Sequence, residues 1–124
     1  MYRLYPGYIY LLSNICWKSI KKIGTTNNIA RRVKELNVGL PEPIKIEYIS
    51  SLLVDKYFYE RKIIKTFLEK RYSPNREFFD INLEMFIIEI KKIEKNNNIY
   101  NNEKLLIEYL EKYETDYIKK RLNK

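Results

Sequence analysis

Residues 8–24 read YIYLLSNICWKSIKKIG. Tyr8 to Leu12 is an apolar, aromatic run of strand length, and Ile20 to Gly24 is a second one. Between them, Ser13 to Ser19 reads as a loop with Asn14 at its bend, and Pro6-Gly7 just ahead is a turn signal. Two short strands joined this way predict a β-hairpin. Strand alternation puts Tyr8 and Tyr10 on one face of the first strand, and Ile20, Lys22 and Gly24 on one face of the second.

Reading outward, Thr25-Thr26-Asn27-Asn28 is a polar connector with helix-capping chemistry. The helix expected from about Ile29 to Asn37 carries Ile29, Val33 and Leu36 on one stripe. At about 100° per residue, Arg32 borders that stripe and faces the sheet, while Arg31 faces solvent. Residues 39–43 (GLPEP) end the helix. Ile44 to Ser50 alternates, which predicts a half-buried third strand with Ile44, Ile46 and Tyr48 on one face. A second helix is expected from about Asp55 to Arg71. Its apolar stripe is Tyr57, Ile64 and Phe67, widened by Ile63 and Leu68, and Glu60 falls in the middle of it. An inward carboxylate must be paired or bound to a cation, because leaving it alone costs on the order of several kcal/mol or forces protonation.

Pro74-Asn75 breaks that helix, and Glu77 to Ile81 is a short extended segment. Asn82 can cap a helix running from Leu83 to about Lys95. Residues 96–102 (NNNIYNN) form a low-complexity linker. A last helix, Glu103 to Leu122, places Leu106, Tyr109, Leu110, Tyr113 and Tyr117 at helical spacing, as core cover or a homodimer seam. The expected architecture is an α+β (α/β) domain over residues 1–81, with a small central antiparallel three-stranded sheet flanked by helices. Residues 82–124 form a C-terminal helical extension.

The charge is uneven. The 124 residues carry a formal net charge of +8. The first 34 hold seven basic residues (Arg3, Lys18, Lys21, Lys22, Arg31, Arg32, Lys34) and no acidic one. The rest hold 17 basic groups against all 16 acidic ones, so the excess sits on the hairpin and first helix, the footprint of a phosphate-binding surface. The chain has no His, which removes the commonest general base and zinc ligand. A single cysteine, Cys16, excludes an intrachain disulfide and points to a reducing compartment. No apolar run is long enough to span a membrane, and no secretory signal pattern opens the chain, so an intracellular setting without membrane contact is expected.

With those residues in view, the chain resembles the GIY-YIG nuclease superfamily, in its small phage and large-DNA-virus branch. Tyr8-Ile9-Tyr10 stands for the first name motif and Lys22-Ile23-Gly24 for the second. Arg32 follows Gly24 by eight residues, the family spacing, and Glu60 matches the family glutamate. Phe67 and the run from Arg71 to Glu77-Phe78-Phe79 match the branch. The likeness covers roughly residues 7–81, and five short motifs in the right order make it fairly specific. Three departures stand out. Tyr8 replaces the first-motif glycine, Lys22 replaces the second-motif tyrosine, and Ile64 replaces a histidine usual four residues after the glutamate. A late asparagine of some members has Asn75 and Asn82 as candidates.

The resemblance implies a Mg²⁺-dependent (or Mn²⁺-dependent) DNA endonuclease that hydrolyses phosphodiester bonds. Lys22 or Tyr10 would take the proton of water, Arg32 would hold two non-bridging oxygens in its planar fork, and Glu60 would hold the metal. Lys18, Lys21, Thr25, Arg31 and Lys34 would touch flanking DNA. Other readings stay open: a structural Arg32–Glu60 ion pair without chemistry, a non-catalytic nucleic-acid-binding module, or a viral interaction module using the tail helix.

Overall fold

A computed structural model describes residues 4–73 and 77–96. The hairpin forms from β1 (Tyr8–Ser13) and β2 (Lys21–Thr26), each slightly longer at its C-terminal end than the apolar runs suggest. The antiparallel register sets Tyr8 across from Thr26, Tyr10 across from Gly24, and Leu12 across from Lys22. Residues directly opposite share a face, so Tyr10, Gly24 and Lys22 lie on one side of the hairpin, as strand alternation requires. At the hairpin end, Asn14 accepts from the Cys16 N–H at 2.8 Å and donates to the Glu42 carbonyl at 2.8 Å.

The sheet has four strands, not three, in the order β3-β1-β2-β4 with antiparallel pairing throughout. The extra strand, β4 (Phe78–Phe79), lies in the segment expected to be merely extended; it pairs Lys21 with Phe79 and Lys22 with Phe78. Two residues are below the length at which alternation signals a strand, so only the apolar pair marks it. On the other side, β3 (Lys45–Ile49) pairs with β1 through a register shift between Leu11 and Leu12. Leu11 faces Tyr48 while Leu12 faces Ile46, which leaves Glu47 as the inserted residue. The bulge breaks the expected alternation. Ile44 and Ile49 join the Tyr10 side of the core, Tyr48 packs on the opposite side, and Ile46 is exposed.

Helices cover both faces. Helix α1 (Ile29–Leu36) starts where Asn28 accepts from the Arg31 N–H at 3.1 Å. Its Ile29, Val33 and Leu36 pack on Tyr8, Tyr10 and Leu12. Helices α2 (Lys56–Thr66) and α3 (Leu83–Asn96) cover the other face. There Ile63, Phe67, Phe86, Ile90 and Ile93 meet Ile9, Leu11 and Ile23. Asn82 caps α3 by accepting from the Met85 N–H at 2.9 Å. Glu94 ties α3 to the sheet, accepting from the Tyr48 hydroxyl at 2.5 Å and the Ser51 N–H at 3.0 Å.

The second helix is shorter than expected and turned differently. Asp55 caps it, and it gives way after Thr66 to a 3-10 turn over Leu68–Lys70. Ile63 and Phe67 are core residues, whereas Tyr57 and Leu68 are exposed. Tyr57 is displaced from the inward position by Lys56, whose stem lies against Gly7. A Cβ on Gly7 would sit 2.5 Å from Lys56 Cδ and 2.8 Å from the Thr26 carbonyl oxygen. Leu68 leaves the stripe because the 3-10 turn changes the angular step per residue. The last helix expected at Glu103 to Leu122, with its homodimer seam, lies outside the described residues, as does Asn75. Among the described residues, no helix is long and apolar enough to cross a membrane.

Candidate active site

Tyr10 stands at the middle of β1 with its side chain 1% exposed. Its ring occupies the space that a side chain at Gly24 would need, so an added Cβ there would collide with the ring and its hydroxyl. Glycine at 24 is therefore a packing requirement of the tyrosine opposite it. The hydroxyl receives a long hydrogen bond, 3.4 Å, from Arg32 Nε. Arg32 also contacts Glu35 at 3.4 Å through Nη1, and its side chain is 38% exposed. The guanidinium is thus braced from behind while its outer edge remains open to solvent. As the helical angles predict, Arg32 turns to the sheet. Arg31 points outward, where it meets Glu35 at 3.6 Å and Asn27 at 3.0 Å.

Lys22 comes from the neighbouring strand on the same face. Its ammonium donates to Glu77 at 2.9 Å, and its side chain is only 13% exposed. Nζ also lies 5.0 Å from the Phe78 ring centroid, and Phe78 packs edge-on against Trp17 at 5.1 Å. Trp17 thus supports the ring on which Lys22 rests. In the sequence Glu77 stands out only as the start of the short extended segment. Its pairing with Lys22 follows from β4, which brings position 77 to the edge of β2.

Glu60 is half-buried on α2. Burial raises its carboxyl above the usual range, and the negative Glu77 adds to the rise, while Arg61, Lys22 and Lys56 pull the other way. Among the described residues no salt bridge closes on Glu60, and Arg32 pairs with Glu35 instead, so the structural Arg32–Glu60 pair does not form. Burial likewise raises the Tyr10 phenol, with the Arg32 hydrogen bond and charge opposing and the Glu77 and Glu60 charges adding. Tyr10 therefore keeps its proton through neutral pH.

Among the described residues no cluster of three or more His, Cys, Asp or Glu forms a protein-built metal cage. What is present is one half-buried carboxylate, Glu60, made costly to ionise by burial and by a second carboxylate. An oxygen-seeking cation that keeps most of its waters fits that donor set, because it would relieve the repulsion and needs only one or two protein oxygens.

The flanking basic residues divide. Thr25, Arg31 and Arg32 line one polar cleft with Thr26, Asn27, Glu35, Lys56 and Tyr57. Lys34 is exposed on α1. Lys21 turns to the opposite face of β2, where it donates to the Ile81 carbonyl at 3.0 Å. Lys18, in the left-handed region at φ 55°, lines a separate hollow with Ser13, Asn14 and Lys45. So Tyr10, Lys22, Arg32 and Glu60 share one electrostatic neighbourhood, and Lys18 and Lys21 do not join it. Sequence reading missed Lys56. It is 8% exposed, donates to the Pro6 carbonyl at 3.3 Å, and has its ammonium pushed down by burial. The available signal was its position one helical turn before Glu60.

The chain is thus a small α+β domain in which Tyr10 and Lys22 share one face of an antiparallel sheet, α1 adds Arg32 to that face, and α2 brings in the half-buried Glu60. Residues 7–95 match the T5orf172 domain, and the chain belongs to that family, which is associated with nuclease-type phage proteins. The match runs through α3. No curated protein and no solved structure matches the chain significantly.

Proposed function

We propose that this protein is a Mg²⁺-dependent (or Mn²⁺-dependent) DNA endonuclease of GIY-YIG type, acting inside a bacterial or virus-infected cell. The observation that carries the reading is the convergence of Tyr10, Lys22, Arg32 and Glu60 from four separate elements around Gly24. A purely structural arrangement would not need a partly exposed guanidinium and a half-buried carboxylate, bridged by none of the described residues, both acting on the same tyrosine hydroxyl.

Each residue then has a task in hydrolysis, in which water attacks phosphorus, a P–O bond breaks, and the leaving oxygen gains a proton. The Arg32 fork holds two non-bridging oxygens and offsets charge as it builds. Tyr10, neutral and fixed over Gly24, orients Arg32 and presents its hydroxyl proton to the phosphate. Burial holds the phenol's proton, so proton acceptance is assigned to Lys22, whose ammonium must first pass one proton to Glu77 and become the free amine that takes the proton of water. Glu77, 47% exposed and bonded to Lys22, offers that proton a way to solvent. Glu60 would hold the divalent cation, which when bound supplies positive charge and makes a coordinated water more acidic. Thr25, Arg31 and Lys34 would grip neighbouring phosphates without reading sequence.

The reading is tested by Glu60→Ala. It should abolish Mg²⁺-dependent cleavage while leaving DNA affinity within about threefold. That affinity should fall steeply between low and moderate salt, as several phosphate contacts require. Cleavage by Glu60→Ala at the wild-type rate would refute the assignment.

A further inference from the structure

Tyr5 and Tyr57 form a pair that the hydrolytic chemistry does not use. Their ring centroids are 5.3 Å apart with planes inclined at 60°. They are 40% and 42% exposed, whereas Tyr8 and Tyr10, which build the core, are each 1% exposed. Lys56 braces the pair: its Nζ lies 4.4 Å from the Tyr57 ring and 5.9 Å from the Tyr5 ring. The backbone holds it as well, through the Lys56 N–H bonded to the Tyr5 carbonyl at 2.8 Å. The rings are thus fixed in place, with Lys56 on one side, while about two-fifths of each residue stays exposed. Tyr57 and Arg32 line the same polar cleft, of about 280 Å³, together with Asn27 and Arg31.

We propose that Tyr57, with Tyr5 beside it, is a stacking platform for an unpaired nucleotide adjacent to the phosphate held by Arg32. The substrate class is then DNA that is single-stranded or locally unpaired next to the bond that is cut. This rests on the endonuclease reading and narrows it. An aromatic face can stack on any base, but in a continuous duplex the base faces already stack on each other. A fixed, exposed ring beside a phosphate grip therefore gains nothing from fully paired DNA and much from an extruded or frayed base. The cleft's lining argues against an apolar protein partner, which would strip water from Arg31, Arg32 and Asn27 without replacing their hydrogen bonds.

The test is equilibrium binding of the full chain in EDTA, so that no cleavage intervenes, to one labelled oligonucleotide as a single strand and as its duplex. Tyr57→Ala should weaken single-strand binding by about 5- to 150-fold, while duplex binding changes by less than about twofold. Tyr57→Phe should bind like the wild type. Tyr57→Leu, which keeps apolar contact with Tyr5 and the Lys56 stem but has no π-face, should behave like Tyr57→Ala. A 2-aminopurine in the strand should be quenched by the wild type and not by Tyr57→Ala. Equal loss on both DNA forms, no loss on either, or normal single-strand binding by Tyr57→Leu overturns the platform alone. Absence of binding to both forms by the wild type overturns the platform together with the endonuclease reading.

Discussion

Gly24 lies directly across the hairpin from Tyr10, and the Tyr10 ring fills the volume that any side chain at 24 would need. The glycine therefore sets where the tyrosine sits, and the tyrosine in turn receives the Arg32 hydrogen bond that aims the guanidinium. Substituting Gly24→Ala forces the ring outward. Overpacking of this kind costs about 1–3 kcal/mol, to be read as a lower urea midpoint. Cleavage should fall further than stability explains, because Arg32 loses its brace. Gly39→Ala, at an exposed turn with φ +80° and nothing within 4 Å, should cost stability through backbone strain without touching cleavage.

In the proposed mechanism Tyr10 keeps its proton. Since burial lifts its phenol above the ordinary value of 10.0, the phenolate is absent at neutral pH. Tyr10→Phe should slow cleavage about 10- to 150-fold through loss of a hydrogen bond to a charged group. It should leave the shape of the pH–rate profile from about pH 7 to about pH 9.5 unchanged. A profile that loses an ionisation in that range on Tyr10→Phe would restore Tyr10 as the base.

Lys56 gives stability a pH dependence. Burial pushes its ammonium below the ordinary 10.5, so the native state releases this proton more readily than the unfolded chain. Between the lowered native value and 10.5 the unfolded state binds more protons, and stability rises with pH across that window. The rise should be visible in urea midpoints as pH climbs toward 10, before the tyrosines ionise. Lys56→Met keeps the stem against Gly7 and removes the ionisation, so its midpoint should lose that slope.

Glu60 has the opposite sense. Its carboxyl is raised above 4.5 by burial and by Glu77, so the native state holds this proton more tightly than the unfolded chain, and stability falls as pH rises from 4.5 through the raised native value. Glu60→Gln should remove that fall and be the more stable protein at neutral pH, while losing cleavage. Mg²⁺ should raise the thermal midpoint of the wild type and leave Glu60→Gln unmoved.

Much of this was legible in the residues. The hairpin, the turn of Arg32 toward the sheet and the caps at Asn28 and Asn82 all follow from short-range periodicity and side-chain chemistry. What was hidden depends on tertiary register. The bulge that sends Ile46 and Tyr48 to opposite faces exists only in the pairing of β3 with β1. The fourth strand is two residues long, and its effect on the site, the Lys22–Glu77 bond, joins positions 55 residues apart. The inward turn of Lys56 in place of Tyr57 depends on the space above Gly7, which belongs to another element. Apolar periodicity favours the tyrosine there, and only the packing reveals the lysine.

The central claim is that Tyr10, Lys22, Arg32 and Glu60 form a working hydrolytic site. Its most direct test is a cleavage assay on supercoiled plasmid and on branched DNA, with Mg²⁺, Mn²⁺ or EDTA, comparing the wild type with Arg32→Ala. The account predicts metal-dependent nicking by the wild type and a loss of about 100- to 1,000-fold in Arg32→Ala, the scale of removing one preorganised donor to developing charge. Failure of the wild type to cut either DNA with either metal, or cutting by Arg32→Ala at the wild-type rate, would contradict it.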